Sequence, residues 1–235
     1  MTPDEPRRAG RDLRGSSVLI TGATGGLGSA IARDLAQRGA TLTLVSRRRD
    51  QLAALDVPGH RVALDLRDPA SCHAAVGAAL EYTGRLDVVV NAVGVVAFGP
   101  IEELSVDAME ELFMTNTFIP IWLAQAALGG LEDQGVIVNI SGVIAERNLA
   151  GMAAYGASKA AVRSFDEALG REARRRRIRV IDARPPHTET GLAERPLEGQ
   201  APRMPAGLDP RAVAATICGA IAGDATDLPS SAFGP

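Results

Sequence analysis

The 235-residue chain contains almost no lysine: Lys159 stands alone beside 24 arginines among its 25 basic residues. Cysteine is nearly absent too. Cys72 and Cys218 lie far apart without a spacing partner, which excludes a disulfide framework and a thiolate metal site and points to a reducing compartment, read as the cytoplasm. His60 and His73 have no partners at ligand spacing, so no metal is expected. A dominant charge is missing as well: 25 basic and 28 acidic residues leave a net charge of −3, which argues against a nucleic-acid surface and for small-molecule chemistry. No apolar run approaches the roughly 18 consecutive residues of a membrane span, so no membrane partner is expected. No repeat, low-complexity linker or composition shift marks a second domain.

What is present is an ordinary globular mixture, 46% apolar and 23% charged, in a length that fits one domain. Residues 1–14, rich in Pro, Arg and Asp, read as a mobile arm with no signal-peptide core, and 15–235 as the single domain. From Ser17 onward, short β-branched runs alternate with longer amphipathic segments. Strands are expected at Ser17–Thr21, Thr41–Ser46, Arg61–Leu64, Asp87–Asn91, Val136–Ile140 and Arg179–Ala183. Helices are expected at Leu27–Arg38, Pro69–Tyr82, Ile101–Leu128, Ala153–Arg177 and Pro210–Ala222, with Leu228–Phe233 as an edge strand. That alternation is α/β: a doubly wound parallel sheet of six or seven strands with helices on both faces. The proline-rich stretch after Ala183 cannot be regular structure, and 191–207 within it reads as a substrate-covering loop.

The first strand runs into Thr21-Gly22-Ala23-Thr24-Gly25-Gly26-Leu27-Gly28 and then into a helix. Glycines in that position let backbone N–H groups approach a pyrophosphate at the positive helix end. The second strand ends in Ser46-Arg47-Arg48-Arg49, where an NAD site would present a carboxylate. A guanidinium there suits the 2′-phosphate of NADP(H), which it grips with forked, charge-assisted hydrogen bonds. In Tyr155-Gly156-Ala157-Ser158-Lys159, the phenol and the ammonium share one helix face. A nearby cation favours the phenolate, so Lys159 is expected to lower the Tyr155 pKa toward the range of acid-base chemistry.

Together these motifs resemble the short-chain dehydrogenase/reductase family from Ser17 to about Ile221: the Gly-rich turn at 22–28, Asn91-Ala92-Val93-Gly94, Asn116, and Tyr155 with Lys159. The resemblance implies a Rossmann-like fold and hydride transfer between a nicotinamide and a carbonyl or secondary-alcohol carbon, with Tyr155 as general acid or base. It implies that Lys159 holds the nicotinamide ribose and that Asn116 anchors a water in the proton path. Cofactor contacts are implied at Gly22, Thr24, Gly26, Leu27, Gly28, Ser46, Arg47, Asp65, Leu66, Asn91, Ala92, Gly94, Lys159, Pro185, Thr188 and Thr190. Asn91 reads equally as a support for the sheet and as a strand-end cap. The family's dimers also imply a homodimer through the faces carrying Phe118, Ile119, Trp122, Leu123 and Ala153, Ala160, Ala161, Val162, with a tetramer open.

One departure stands out. The family's catalytic serine usually lies thirteen residues before the tyrosine, where this chain has Gly142; Ser141 is one residue earlier, and one step along a strand end turns a side chain to the opposite face. Ser141 is taken as the catalytic hydroxyl, with His187 as an alternative donor on the stiff Pro185-Pro186 loop. Phe98, Met152, His187 and Leu192 are expected to line the substrate pocket, an aliphatic one because only eight aromatic residues occur in the chain. Two other functions stay open: an NADP(H)-binding regulatory protein without turnover, and a dehydratase or epimerase that retains its cofactor.

Overall fold

Parallel pairing follows from the chain order, since each strand is followed by a segment long enough to carry the chain back over one face of the sheet. The computed structural model describes residues 11–234. Its seven parallel strands are β1 (Ser17–Thr21), β2 (Thr41–Ser46), β3 (His60–Ala63), β4 (Val88–Asn91), β5 (Val136–Ile140), β6 (Arg179–Ala183) and β7 (Asp227–Leu228), in the order β3-β2-β1-β4-β5-β6-β7. The helices are α1 (Gly26–Gln37), α2 (Arg49–Ala54), α3 (Pro69–Thr83), α4 (Val106–Phe113), α5 (Ile119–Gly130), α6 (Ala153–Glu172) and α7 (Pro210–Ala222). One core lies between the sheet and α1 and α7, around Ile31, Leu35, Ile217 and Ile221. The other lies under α3, α5 and α6, around Val76, Leu123 and Leu169. The winding direction reverses between β1 and β4, which opens a crevice at their carboxyl ends.

Several boundaries differ from expectation for identifiable reasons. The long helix expected from Ile101 begins at Val106, because the Ser105 side chain caps it by accepting from the Ala108 N–H at 3.1 Å. A π-turn, Met114–Phe118, then joins α4 to α5. The resulting rod, Val106–Gly130, has a mean hydropathy of 1.2, long and apolar enough by length and composition to cross a membrane, and more than half of it is buried inside the fold. The short helix α2 was not expected at all. The helix through 153–177 stops at Glu172 and tightens into a 3-10 turn, Ala173–Arg176, ended by Arg177 at φ +57°. Pro229 lies between β7, only two residues long, and the 3-10 turn Ser230–Phe233, so the expected edge strand at 228–233 is not formed.

Residues 1–10 of the expected arm lie outside the described residues. The remainder is tied down: Leu13 is buried, and Arg11 pairs with Asp87 at 3.0 Å. At the opposite edge, Glu146 joins the segment after β5 to the chain's end, accepting from Ser230 N (3.1 Å) and Oγ (2.6 Å) and from Arg184 Nε (2.5 Å). Burial pushes the Glu146 carboxyl up, but the hydrogen bonds from Ser230 and Arg184 outweigh it and hold the group at about 2. A depressed carboxyl stabilises the fold above its ordinary value and loses that contribution as pH falls toward 2. Glu146→Gln is therefore expected to lose about 3 kcal/mol of the stability measured at neutral pH. Urea titrations should find the two proteins converging between pH 4.5 and 2; a constant difference across that window would exclude an ionised Glu146 as the source.

Candidate active site

The crevice is built by close backbone approach. Gly22 sits at φ +70°, and a Cβ there would lie 2.6 Å from the Ala92 carbonyl oxygen across the β1/β4 boundary. A Cβ on Gly28 would lie 2.2 Å from the Gly22 carbonyl, and one on Gly26 would lie 2.6 Å from the Thr190 carbonyl. The Gly-rich turn, the turn after β4 and the loop after β6 thus meet at the N-terminus of α1, the positive end of a helix dipole. Leu27 points the other way, against the core.

Beside this turn, Thr24 Oγ1 and Ser46 Oγ share a hydrogen bond of 2.7 Å. Arg47 is exposed immediately after Ser46, and its charge helps to lower the nearby Asp65 carboxyl, whose principal lowering partner is Arg67 at 2.6 Å. Leu66 is buried. A shallow cavity of about 260 Å³ opens between α1 and α2, lined by Thr24, Ser29, Arg33, Gln51, Ala54 and Leu55. Arg33 reaches into this polar corner, donating to Ser29 Oγ at 3.3 Å. Arg33, Ser29 and Gln51 were not anticipated, because helix-face residues carry no local motif.

Asn91 is committed to the sheet. Its Oδ1 accepts from Thr21 Oγ1 (2.9 Å) and Val93 N (3.3 Å), and its Nδ2 donates to Asn139 Oδ1 (3.3 Å). Support and cap are therefore one arrangement. Gly94 leaves open space in front of the chemistry, since a Cβ there would sit 3.5 Å from both Asn116 Oδ1 and Lys159 Nζ. Pro185 accepts from Val143 N at 3.0 Å, and Thr188 Oγ1 donates to Pro186 O at 2.8 Å, which holds the loop after β6 against β5.

Tyr155 and Lys159 share the face of α6 that meets the π-turn carrying Asn116. The π-turn replaces the regular hydrogen-bond ladder at this point. Asn116 is buried and holds the turn after β4, exchanging hydrogen bonds of 2.9 Å with both Val95 N and Val95 O while donating to Ser158 Oγ at 3.1 Å. Lys159 is buried and donates to the Ile140 carbonyl at 2.7 Å; burial lowers its pKa to about 8, against the opposing charge of Asp182. Tyr155 packs with Val96, Phe98, Ile144, Met152 and Leu192, and burial pushes its pKa up to about 12. The expected lowering of the phenol by Lys159 does not occur: burial is what shifts the group, and it acts upward.

The 191–207 segment contributes Leu192 and Ala193 to the apolar cover over Tyr155. Leu197 N donates to Val96 O (2.8 Å), Phe98 N donates to Glu198 O (3.0 Å), and Glu198 Oε2 accepts from Ser105 N (3.1 Å) and Oγ (2.6 Å). Phe98, Met152 and Leu192 come together beside Tyr155 as expected. His187 does not join them: its Nε2 lies 3.5 Å from Glu189 Oε1, and its ring edge packs under Gly207.

Ser141 also turns elsewhere. Both Ser141 N and Gly142 N donate to the Ala183 carbonyl (3.0 and 3.2 Å), two residues opposite one, yet this bulge does not bring the hydroxyl to Tyr155. Ser141 is fully buried and its Oγ donates to Asp182 Oδ1. Gly142, at φ +81°, faces open space, where a Cβ would meet only the Pro185 carbonyl at 3.8 Å. The buried Asp182 and Arg184 behind it were missed, although a charged residue inside a strand of a doubly covered sheet and another directly after it are a legible signal.

A family model described as short chain dehydrogenase matches residues 16–201. The chain is 31% identical over 218 residues to the 3-oxoacyl-[acyl-carrier-protein] reductase FabG of Vibrio cholerae, covering 88% of this chain and 89% of that protein. It is 31% identical over 256 residues to a dehydrogenase/reductase SDR family protein 7-like of Anopheles gambiae, covering 100% and 81% respectively. Among solved structures, a blue fluorescent protein from a metagenomic library in complex with NADPH superposes with a TM-score of 0.83 at 28% identity, covering 96% of this chain and 100% of that one.

The contact between Gly26 and Thr190 makes a direct prediction. Gly26→Ala forces apart the loop after β6 and the first turn of α1, so stability should fall by about 1–3 kcal/mol. NADPH affinity, read by cofactor fluorescence, should fall at least about tenfold, because the same displacement opens the crevice. Unchanged melting temperature and affinity would show that the two segments do not meet in solution.

Proposed function

The chain belongs to the short-chain dehydrogenase/reductase family, and from that premise we propose that it is an NADPH-dependent reductase of small or medium apolar carbonyl compounds. The observation that carries the reading is the pair on α6: a phenol packed among apolar side chains, four residues from a buried ammonium that is tied to the end of β5. A module that only binds a nucleotide has no use for an ammonium kept in the interior, where desolvating a charge is costly. Gly142 is what favours the second reading, a regulatory protein without turnover; a dehydratase or epimerase would form product without net NADPH consumption.

The residues fit the cofactor. The Gly22–Gly28 turn, Ala92, Gly94, Pro185, Thr188 and Thr190 would hold its pyrophosphate and nicotinamide half, and Asp65 and Leu66 would flank the adenine. Thr24, Ser46 and Arg47 would take the 2′-phosphate, with Arg33 within the same polar corner. When bound, the cofactor supplies the hydride.

The protein's own part is proton delivery and enclosure. At neutral pH Tyr155 is a neutral phenol, the form that donates a proton to the oxygen of a carbonyl under reduction. Lys159 would grip the nicotinamide ribose and bring positive charge beside the phenol. Its ammonium form prevails below about pH 8 and is lost as pH rises through that value. Asn116, at the π-turn, would anchor the water that resupplies the proton. With no hydroxyl at position 142, Tyr155 is the single side-chain donor to the substrate oxygen. Phe98, Met152 and Leu192 would exclude water and select aliphatic substituents. The exposed Phe118, stacked on Trp122 with ring centroids 5.5 Å apart, continues an apolar face on α5 that would pair in a homodimer, and a tetramer stays open.

Tyr155→Phe should cut kcat by about 10²–10⁴-fold on a panel of β-keto esters and aliphatic ketones, with the NADPH Kd nearly unchanged; full activity would remove the mechanism. Arg47→Asp should weaken NADPH far more than NADH in paired fluorescence titrations. Equal losses for the two cofactors would take Arg47 out of the 2′-phosphate contact.

A further inference from the structure

Lys159 presents an electrostatic problem that the cofactor site does not solve. It is 6% exposed, its hydrogen bond to the Ile140 carbonyl joins it to a neutral group, and among the described residues no carboxylate lies within ion-pair distance of it. A buried ammonium without a countercharge sheds its proton. The groups around it are few. Tyr155 is on the same helix and neutral. Asp166, two turns further along α6, accepts from Asn139 Nδ2 at 2.6 Å and has its other oxygen buried without a partner. Burial, opposed by Asn139 and reinforced by the charge of Asp182, pushes Asp166 well above the ordinary carboxylate range, and the charge that acts on Lys159 is that of Asp182. Asp182 on β6 is left.

Asp182 is bound from both sides. Ser141 Oγ donates to its Oδ1, and Arg184 Nη1 donates to its Oδ2 at 2.5 Å. Arg184, 3% exposed, also pairs with Asp227 (2.6 and 2.9 Å) and with Glu146. One guanidinium therefore faces three carboxylates, and of these Asp182 is the one whose charge acts on Lys159. Ser141 directly follows Ile140, whose carbonyl holds the ammonium, and Ser141 N with Gly142 N grips Ala183 O.

We propose that Asp182 is a positioning residue for Lys159: through Ser141 it fixes the end of β5 whose carbonyl holds the ammonium, and its charge keeps that ammonium protonated in the interior. Ser141, one step from the position expected of a catalytic hydroxyl, thereby acts on the lysine side of the site. The proposal rests on the reductase reading for its use in turnover, but its test does not require substrate.

Because Lys159 is the single lysine of the chain, growth on [ε-13C]lysine places one labelled side chain in the full-length protein. Its chemical shift against pH reads the Lys159 titration directly in the free protein. Asp182→Asn keeps an acceptor for Ser141 and removes the charge. The titration midpoint, about 8 in the parent protein, is expected to move down by at least about one pH unit, a tenfold change in proton dissociation. Asp227→Asn, on the exposed outer side of Arg184, should leave the midpoint in place. An unchanged or raised midpoint in Asp182→Asn, or an equal drop in Asp227→Asn, overturns the proposal. Should the asparagine variant fail to fold by circular dichroism, Asp182→Ser repeats the measurement with the same expected direction. Failure of the reductase reading is separate: it shows as full turnover in Tyr155→Phe and leaves the Lys159 titration where it was.

Discussion

A parallel sheet covered by helices on both faces has no wet side, and that constraint arranges the rest of this protein. Strand side chains along β1, β4, β5 and β6 meet packed apolar layers, so polar groups gather at the sheet's two ends: Asp87 with Ser17 and Arg11 at the amino edge, and the site residues at the carboxyl edge, where the strands end and the helices have not yet closed over them. The winding reverses between β1 and β4, and there the edge becomes a crevice. Most residues assigned to cofactor or chemistry above arrive at that edge from a strand end, from the turn after it, or from the face of α6 that crosses it; Asn116 comes from the π-turn between α4 and α5, and Arg33 from α1.

The edge carries a polar seam in two parts. Thr21, Asn91, Asn139 and Asp166 are linked by side-chain hydrogen bonds from β1 across β4 and β5 to α6. Ser141, Asp182 and Arg184 form a second network from β5 and β6 to Glu146, Asp227 and Ser230. Such a seam is costly to bury unless nearly every member is paired, and apart from one oxygen of Asp166 these groups are. Its value is rigidity: the carbonyl that holds Lys159 belongs to a strand end bound laterally on both sides. Under the proposed reductase reading Lys159 needs that fixity more than an ordinary core lysine would, because its position relative to the phenol decides whether the pair works.

Much of this was legible in the residues. Six of the expected strands lie within a residue of their observed ends, because β-branched runs between glycine and charged turns leave few alternatives. The Gly-rich turn, Asn116, Tyr155 and Lys159 were found by motif, and the structure brings Gly94, Asn116 and Lys159 within a few ångströms of one another. What could not be read was lateral. Whether Ser141 faces the crevice depends on a bulge against Ala183 and on a carboxylate forty-one residues later, and no local pattern carries that pairing. The π-turn between α4 and α5 is likewise invisible to an apolar period that continues through it. The surroundings of Tyr155 depend on backbone bonds between segments a hundred residues apart, which no local pattern carries.

The absence of a hydroxyl at position 142 changes how the site must divide its work. Where a serine shares the substrate oxygen, the tyrosine needs to supply only part of the stabilisation of developing charge. Here the backbone at Gly142 adopts φ +81°, a conformation that a side chain enters only with strain, so the gap is built into the fold. A single donor must then be well oriented and fully protonated when it is needed. An apolar enclosure that raises the Tyr155 pKa achieves the second condition, and a laterally braced Lys159 with Asp182 behind it achieves the first. On this view the closed cover, the buried carboxylate and the missing serine are parts of one arrangement, in which electrostatic support comes from beneath the lysine because none comes from beside the substrate.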